Sequence, residues 1–370
     1  MLMLAHDVEL EDLEYINKNL TSELEELAGK NLLVTGGAGF LGFYLTKTIV
    51  QWNEKADAQR RINLYIVDKC IRGVPRWLKE ILDSNPPGIT MSFDDISHQV
   101  PFPAIAFDYV IHAASIASPP YYRQWPIETM DANVQGVRIL LDRIRAQSTD
   151  RPCKGFLFFS SSEIYGDPDP DNIPTAESYR GFVSCTGPRA CYDESKRYGE
   201  TLCINFFRQH GLPVKIVRPF NNYGPGCDIN DKRVIPDFAR DIFKGESITV
   251  YSDGTPTRTF SYVADDIIGY YKILVQGQPG EIFNIGADDR EVSIAELAEK
   301  VRQLANTHFG YDGDIVYRTH TDSEYLTDNP CRRCPDLNKI RTELGFSPDI
   351  DLDTGLLRTL HWYREHVDGV

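Results

Sequence analysis

The run Asn31-Leu-Leu-Val-Thr35 passes without interruption into Gly36-Gly-Ala-Gly39-Phe-Leu-Gly42 and then into an apolar-periodic segment, Phe43 to Trp52. An apolar run, glycines three apart and then helical periodicity read as strand, turn and helix. Glycines at such a junction let the backbone approach a pyrophosphate at the helix N-terminus. The triplet alone is a weak signal, but the next strand, Ile62 to Val67, ends in Asp68. A carboxylate there accepts hydrogen bonds from an adenosine ribose and repels a 2′-phosphate, which favours NAD over NADP. Asp68 lies 32 residues after Gly36, beyond the usual ~20, and the polar stretch 53–61 supplies the excess as a longer connection.

Outward from this unit the same rhythm repeats. Short strands are expected near 89–93, 107–112, 155–160 and 214–218, with helices near 128–146 and 192–210. Alternating strands and helices mean a doubly wound, Rossmann-type parallel α/β sheet. After Pro219 the pattern loosens, with helices near 234–243, 264–274, 293–306 and 352–366. The expected division is an N-terminal helical extension (1–29), a cofactor domain (30–218, with returning segments about 258–286) and a smaller substrate-binding domain (219–257 and 287–370). In the extension, Val8, Leu10, Leu13, Ile16, Leu20, Leu24 and Leu27 recur at helical spacing between acidic residues. That pattern predicts one amphipathic helix over 8–28, packed on the body or on a partner subunit.

The chain has 370 residues, about two domains' worth on the usual ~150-residue prior. Acidic residues (54) outnumber basic ones (39), for a net charge of −15, which argues against nucleic acid as a partner. Apolar runs fall far short of the ~18 residues that span a bilayer, and the N-terminus lacks a basic n-region and an apolar h-region. Eight scattered cysteines fit reduced thiols in the cytoplasm. Cys331-Arg-Arg-Cys334 has no second ligand pair with comparable spacing, so no metal site is expected.

Tyr192 and Lys196, four apart, share one face of a helix. A cation beside a phenol favours the phenolate and lowers its pKa, and such a phenolate can take a hydroxyl proton. The run Ser160-Ser161-Ser162 ends the preceding strand, at the ligand edge of a doubly wound sheet. Together with the glycine turn and Asp68, these residues specify hydride transfer at a carbinol.

These motifs resemble the extended short-chain dehydrogenases/reductases, and Gly187-Pro-Arg-Ala-Cys-Tyr192-Asp-Glu-Ser-Lys196-Arg is similar to the signature of UDP-glucuronate decarboxylases, the UDP-xylose synthases. The resemblance runs from about Lys30 to the C-terminus. It includes Ser115-Ile-Ala-Ser118-Pro-Pro-Tyr-Tyr122, Ser162-Glu163-Ile-Tyr-Gly-Asp-Pro, Phe220-Asn221-Asn-Tyr-Gly-Pro, Thr257-Arg258-Thr-Phe-Ser-Tyr-Val and Arg333-Cys-Pro-Asp-Leu. A single carboxylate, Glu163, without an adjoining aspartate is the decarboxylase-like pattern. Epimerases usually carry a small residue there and 4,6-dehydratases an Asp-Glu pair.

The resemblance implies Tyr192 as the C4 base, Lys196 as its support at the nicotinamide ribose, Ser161 on the C4 oxygen, Glu163 acting on ring position or proton delivery, and Arg258 on the sugar carboxylate or a diphosphate oxygen. It gives cofactor contacts to Gly36, Gly39, Phe40, Leu41 and Asp68, to Asp95, Ile96 and Ala113, and to Tyr192 and Lys196, with Asn133 ordering the network around Lys196. Substrate contacts fall to Ser118, Tyr122, Glu163, Tyr251 and Arg258, with Asn221, Arg233 and Arg333 on the pyrophosphate. His112 is left as structural.

Chemically, oxidation at C4 of a hexuronate puts a ketone β to the carboxylate, so that carbon dioxide can leave as an enolate forms. The implied product is UDP-xylose or its 4-keto precursor. Ile116, Tyr121 and Gly226-Cys227 depart from the family pattern near the presumed sugar or diphosphate. The alternatives are a nucleotide-sugar 4-epimerase or 4,6-dehydratase and, in another class, a non-catalytic NAD-binding regulator. A homodimer through the helices around 128–146 and 192–210 is also expected from the resemblance.

Overall fold

In the computed structural model, which describes residues 3–322 and 327–367, the glycine run lies at the centre of a seven-stranded sheet. The strands are β1 (Asn31–Thr35), β2 (Asn63–Val67), β3 (Ile89–Ser92), β4 (Tyr109–His112), β5 (Gly155–Phe159), β6 (Val214–Pro219) and a last strand, Ile282–Ile285. All pairings are parallel, in the order β3-β2-β1-β4-β5-β6 and then Ile282–Ile285. Helices cover both faces, so β4 and β5 are buried at every position, as parallel strands require. The chain leaves β1 toward β2 on one side and returns as β4 on the other. Ligands bind at the carboxyl ends of the strands beside such a reversal.

The N-terminal extension is two helices, not one: α1 (Ala5–Asn19) and α2 (Thr21–Leu27). The chain turns at Leu20 (φ −114°, ψ 19°), which lets Val8 and Ile16 on α1 and Leu24 and Leu27 on α2 all reach full burial. The extension packs on the body of its own chain. Asp12 meets Tyr44 (2.5 Å) on α3 (Phe40–Lys55), Tyr262 (2.6 Å) and Arg358 (2.7 Å), while Tyr15 donates to Asp265 (2.7 Å).

A single helix around 128–146 is also subdivided, into Pro126–Asp131, a π turn over Ala132–Gly136 and Val137–Arg145. A period of 3.6 cannot register such a bulge, and bulges of this kind favour functional sites. Beyond β6, Thr257–Arg258 forms the middle of a small sheet between Val292–Ser293 and Arg332–Arg333. Its register sets Arg333 beside Arg258.

Candidate active site

A cleft of about 630 Å³ opens where the sheet reverses, lined by the ends of β1, β2, β4 and β5 and by the 219–258 region. Gly36 (φ +76°) lies so close to β4 that a Cβ would stand 2.6 Å from the Ala114 nitrogen, and one on Gly42 would stand 2.5 Å from the Gly37 carbonyl carbon. The turn therefore closes tightly. Gly39 caps α3 with no side-chain acceptor, which leaves first-turn N–H groups for an anion. Asp68 accepts from Ala38 N (3.0 Å) and Cys70 N (2.8 Å), and burial raises its pKa against those bonds. An uncapped helix start with a half-buried carboxylate just past the end of the next strand fits an adenine dinucleotide. Phe40, Leu41, Ile96 and Ala113 line the same wall. Asp95 also lies there, paired with Lys69 (3.0 Å) and accepting from Ser97.

Further along, Ser161, two residues beyond β5, caps the turn Ser162–Tyr165, its hydroxyl accepting from Glu163 N (3.2 Å), and lies on the cleft with Tyr192. Tyr192 and Lys196 stand on the helix Ala190–His210. The Lys196 ammonium donates to the Phe159 carbonyl (2.7 Å) and lies 5.7 Å from the Tyr192 ring centre. Burial holds it down to about 7. The expected depression of the tyrosine is not found in the chain by itself. Burial raises Tyr192 to about 12, and nearby Ser161 offsets only part of this.

The Asn133 amide donates to Ser195 Oγ (2.9 Å), which donates to the Tyr192 carbonyl (3.0 Å). It thereby braces the helix that carries Tyr192 and Lys196. Its carbonyl oxygen is buried without a partner among the described residues. His112 shares a 2.7 Å hydrogen bond with Thr35 Oγ1 and is held down to about 3 by burial and nearby Lys196.

The Glu163 carboxylate accepts two hydrogen bonds from Arg333 (2.5 and 2.7 Å) and another from Arg189. Burial works to raise its pKa, and the two guanidinium groups override that, holding it well below the carboxylate range. Arg333 is thus committed to Glu163 and not, as expected, free for a diphosphate. Arg258 donates to the carbonyls of Thr257 (2.7 Å), Pro330 (2.6 Å) and Cys331 (3.2 Å) and to Asn329 (3.3 Å). Burial, with Arg333 alongside, lowers it to about 10.

The remaining expected contacts also line the cleft. Tyr122 stacks on Tyr192 (5.3 Å between centres), and its buried hydroxyl has no partner among the described residues. Ser118 donates to the Asp231 carbonyl (2.7 Å), Arg233 pairs with Asp231 (2.9 Å), and Asn221 donates to the Thr259 carbonyl (2.9 Å). The Tyr251 ring meets that of His320 at 4.8 Å.

Sequence reasoning missed Arg189, Arg72 and Asp231. Arg189 stands three positions before Tyr192, inside the quoted motif, so helical spacing was an available signal. Arg72 crosses the cleft mouth to Asp228 (2.8 Å) and Asp231 (2.6 Å) and lies over Tyr121 (4.4 Å). Nothing local announces that pairing.

Residues 32–286 match the NAD dependent epimerase/dehydratase family. UDP-glucuronic acid decarboxylase 6 of Arabidopsis thaliana is 37% identical over 88% of this chain and 86% of its own length. UDP-glucuronic acid decarboxylase 1 of Xenopus tropicalis is 34% identical over 93% and 75%. Among solved structures, the dTDP-glucose 4,6-dehydratase DesIV of Streptomyces venezuelae, with NAD bound, is 25% identical with a TM-score of 0.75 over 90% of this chain and 97% of that one. WbmF of Bordetella bronchiseptica, in complex with NAD+ and UDP, is 25% identical with a TM-score of 0.70 over 92% and 94%. A glycine turn open to a dinucleotide, beside a serine, tyrosine and lysine on one cleft, accords with these likenesses, and the chain belongs to the NAD dependent epimerase/dehydratase family.

Proposed function

We propose that the protein is an NAD-dependent decarboxylase of a nucleotide hexuronate, converting UDP-glucuronate to UDP-xylose or the UDP-4-keto-pentose. The observation that carries this reading is Glu163, a carboxylate held as an anion by Arg189 and Arg333, with Arg258 alongside and Ser161 and Tyr192 near by. Arg189 and Arg333 are matched to Glu163, while among the described residues Arg258 donates to carbonyl and amide oxygens only. The surplus cation supports assigning Arg258 to the sugar carboxylate.

Gly39, Phe40, Leu41 and Asp68 would hold NAD, which would supply the acceptor and later the donor of the C4 hydride. Tyr192 as phenolate takes the C4 hydroxyl proton, Ser161 holds the C4 oxygen, and the charge of the Lys196 ammonium stabilises the phenolate. With C4 a ketone, the C5–C6 bond breaks, its electrons form an enolate, carbon dioxide leaves and C5 takes a proton. Glu163, clamped as an anion, is better suited to orienting the ring than to carrying a proton. Two guanidinium groups would have to release it before it could accept one.

The test is UDP-glucuronate labelled at C6. Released label with a pentose product supports the reading. Retained label with an inverted C4 indicates an epimerase, a 6-deoxy-4-keto product a dehydratase, and no turnover at all a non-catalytic NAD-binding regulator.

We also infer a homodimer. Ile127 and Met130, on Pro126–Asp131, and Tyr198, on the helix packed beside it, are exposed, and a second copy would cover them. Ile127→Asp with Met130→Asp is expected to halve the mass in light scattering. Residues 30–218 with 258–286 are assigned to the cofactor and the rest of the body to the substrate. Eight unpaired cysteines support a cytoplasmic location.

A further inference from the structure

Arg189 lies between two carboxylates. It donates to Glu163, while its Nε stands 3.9 Å from Asp193 Oδ2, one helical turn on. That Nε and Asp193 Oδ1 are both buried with no hydrogen-bond partner among the described residues. The Arg189 carbonyl accepts from the backbone nitrogens of Tyr192 (2.9 Å) and Asp193 (3.1 Å). The guanidinium thus ties the end of β5, through Glu163, to the turn of helix that carries the base.

We propose that Arg189 is a positioning residue that fixes Glu163 against the Tyr192 helix, and that Asp193 is its competitor, drawing Arg189 off Glu163 when it ionises. The assignment rests on the reading of the site given above. Among the described residues, the groups facing Asp193 are Glu163 in the turn after β5, Arg189, Cys191 and Tyr192 at the start of its own helix, Tyr122 on Pro119–Gln124, Arg333 on the small sheet and Asp328 on the loop before it. Burial and the Glu163 charge raise Asp193 to about 8, against Arg189 and Arg333. At neutral pH Asp193 is an uncharged acid and Glu163 holds Arg189 undivided. Above about 8 two anions share one guanidinium, and Glu163 loosens.

The test is the pH profile of carbon dioxide release. The wild type is expected to lose kcat on the alkaline side near pH 8, and Asp193→Asn is expected to lack that limb. Arg189→Ala is expected to lower kcat roughly tenfold or more with KM within about threefold, the mark of an interaction felt in the transition state and not in substrate binding. Arg189→Lys should restore part of it. An alkaline limb unchanged in Asp193→Asn, or an Arg189→Ala defect confined to KM, overturns the proposal.

A second readout needs no substrate. In the NAD-loaded enzyme, the infrared band of a protonated carboxyl, wild type minus Asp193→Asn, should vanish near pH 8 and persist to higher pH in Arg189→Ala. A band absent at pH 6 also overturns the proposal. If the wild type releases no carbon dioxide while this band titrates as expected, it is the decarboxylase reading that fails.

Discussion

Arg333 lies 170 residues downstream of Glu163, yet its guanidinium grips that carboxylate with two hydrogen bonds of 2.5 and 2.7 Å. The pair joins the end of β5 to the small sheet in which Arg333 registers with Arg258. The central and the small sheet are therefore joined at the candidate reacting centre, and the fork geometry sets the carboxylate plane as well as its charge.

Glu163→Gln keeps the shape and removes the charge, leaving three guanidinium groups with no matched anion. Carbon dioxide release is expected to fall about a hundredfold or more, the scale of losing one preorganised electrostatic contact. NAD content after purification should be unchanged. A variant with wild-type kcat would reduce Glu163 to a scaffold residue.

Lys196 supplies a pH test of the cofactor-free chain. Its pKa falls on folding from 10.5 to about 7. The unfolded chain then binds more protons between those values, so stability is gained as pH rises through that window and lost as pH falls toward 7. Lys196→Met has no ammonium to desolvate. Urea titrations should show the variant gaining on the wild type between pH 10 and 7, by several kcal/mol at most. Parallel curves would mean that the ammonium is better solvated than its burial implies.

The parts of this site legible in the sequence are the local ones. Gly36 to Gly42, Asp68 and the Tyr192–Lys196 spacing each depend on neighbours within one strand, turn or helix. Arg333 on Glu163, Arg72 on Asp231 and Arg189 between two carboxylates depend on tertiary approach, which no period in the sequence encodes. The raised pKa of Tyr192 was missed for a related reason. A lysine four residues away is visible in sequence, whereas the desolvation that outweighs it belongs to the packed core. The turn at Leu20 was hidden because its apolar spacing continues across the break.

The extension is expected to be indispensable to the fold. Val8, Ile16, Leu20, Leu24 and Leu27 are fully buried, at roughly 1.5–3 kcal/mol each. Removing residues 1–29 would strip cover from α3 and the helices Val263–Gln276 and Leu352–Arg364. The truncated chain should be insoluble or melt far lower in calorimetry. A truncation with an unchanged Tm would make the extension an accessory.

Asp12 gives that same interface a pH dependence. Burial raises its pKa from 3.8 to about 6, against hydrogen bonds from Tyr262 and Tyr44 and the charge of Arg358. A carboxyl with a raised folded pKa binds its proton more tightly in the native state. Its contribution is complete below about pH 4 and is lost as pH rises through 6. A rise from 3.8 to about 6 corresponds to roughly 3 kcal/mol. In Asp12→Asn that slope should be absent. The amide can still accept from one tyrosine, but it turns a donor toward Arg358, so the variant should be less stable than the wild type at pH 4 and should close part of the gap by pH 7. Free energies of unfolding in urea at pH 4, 5, 6 and 7 read both effects. A gap that stays constant across the series would mean that Asp12 is already ionised at pH 4, with Arg358 and the two tyrosines outweighing burial.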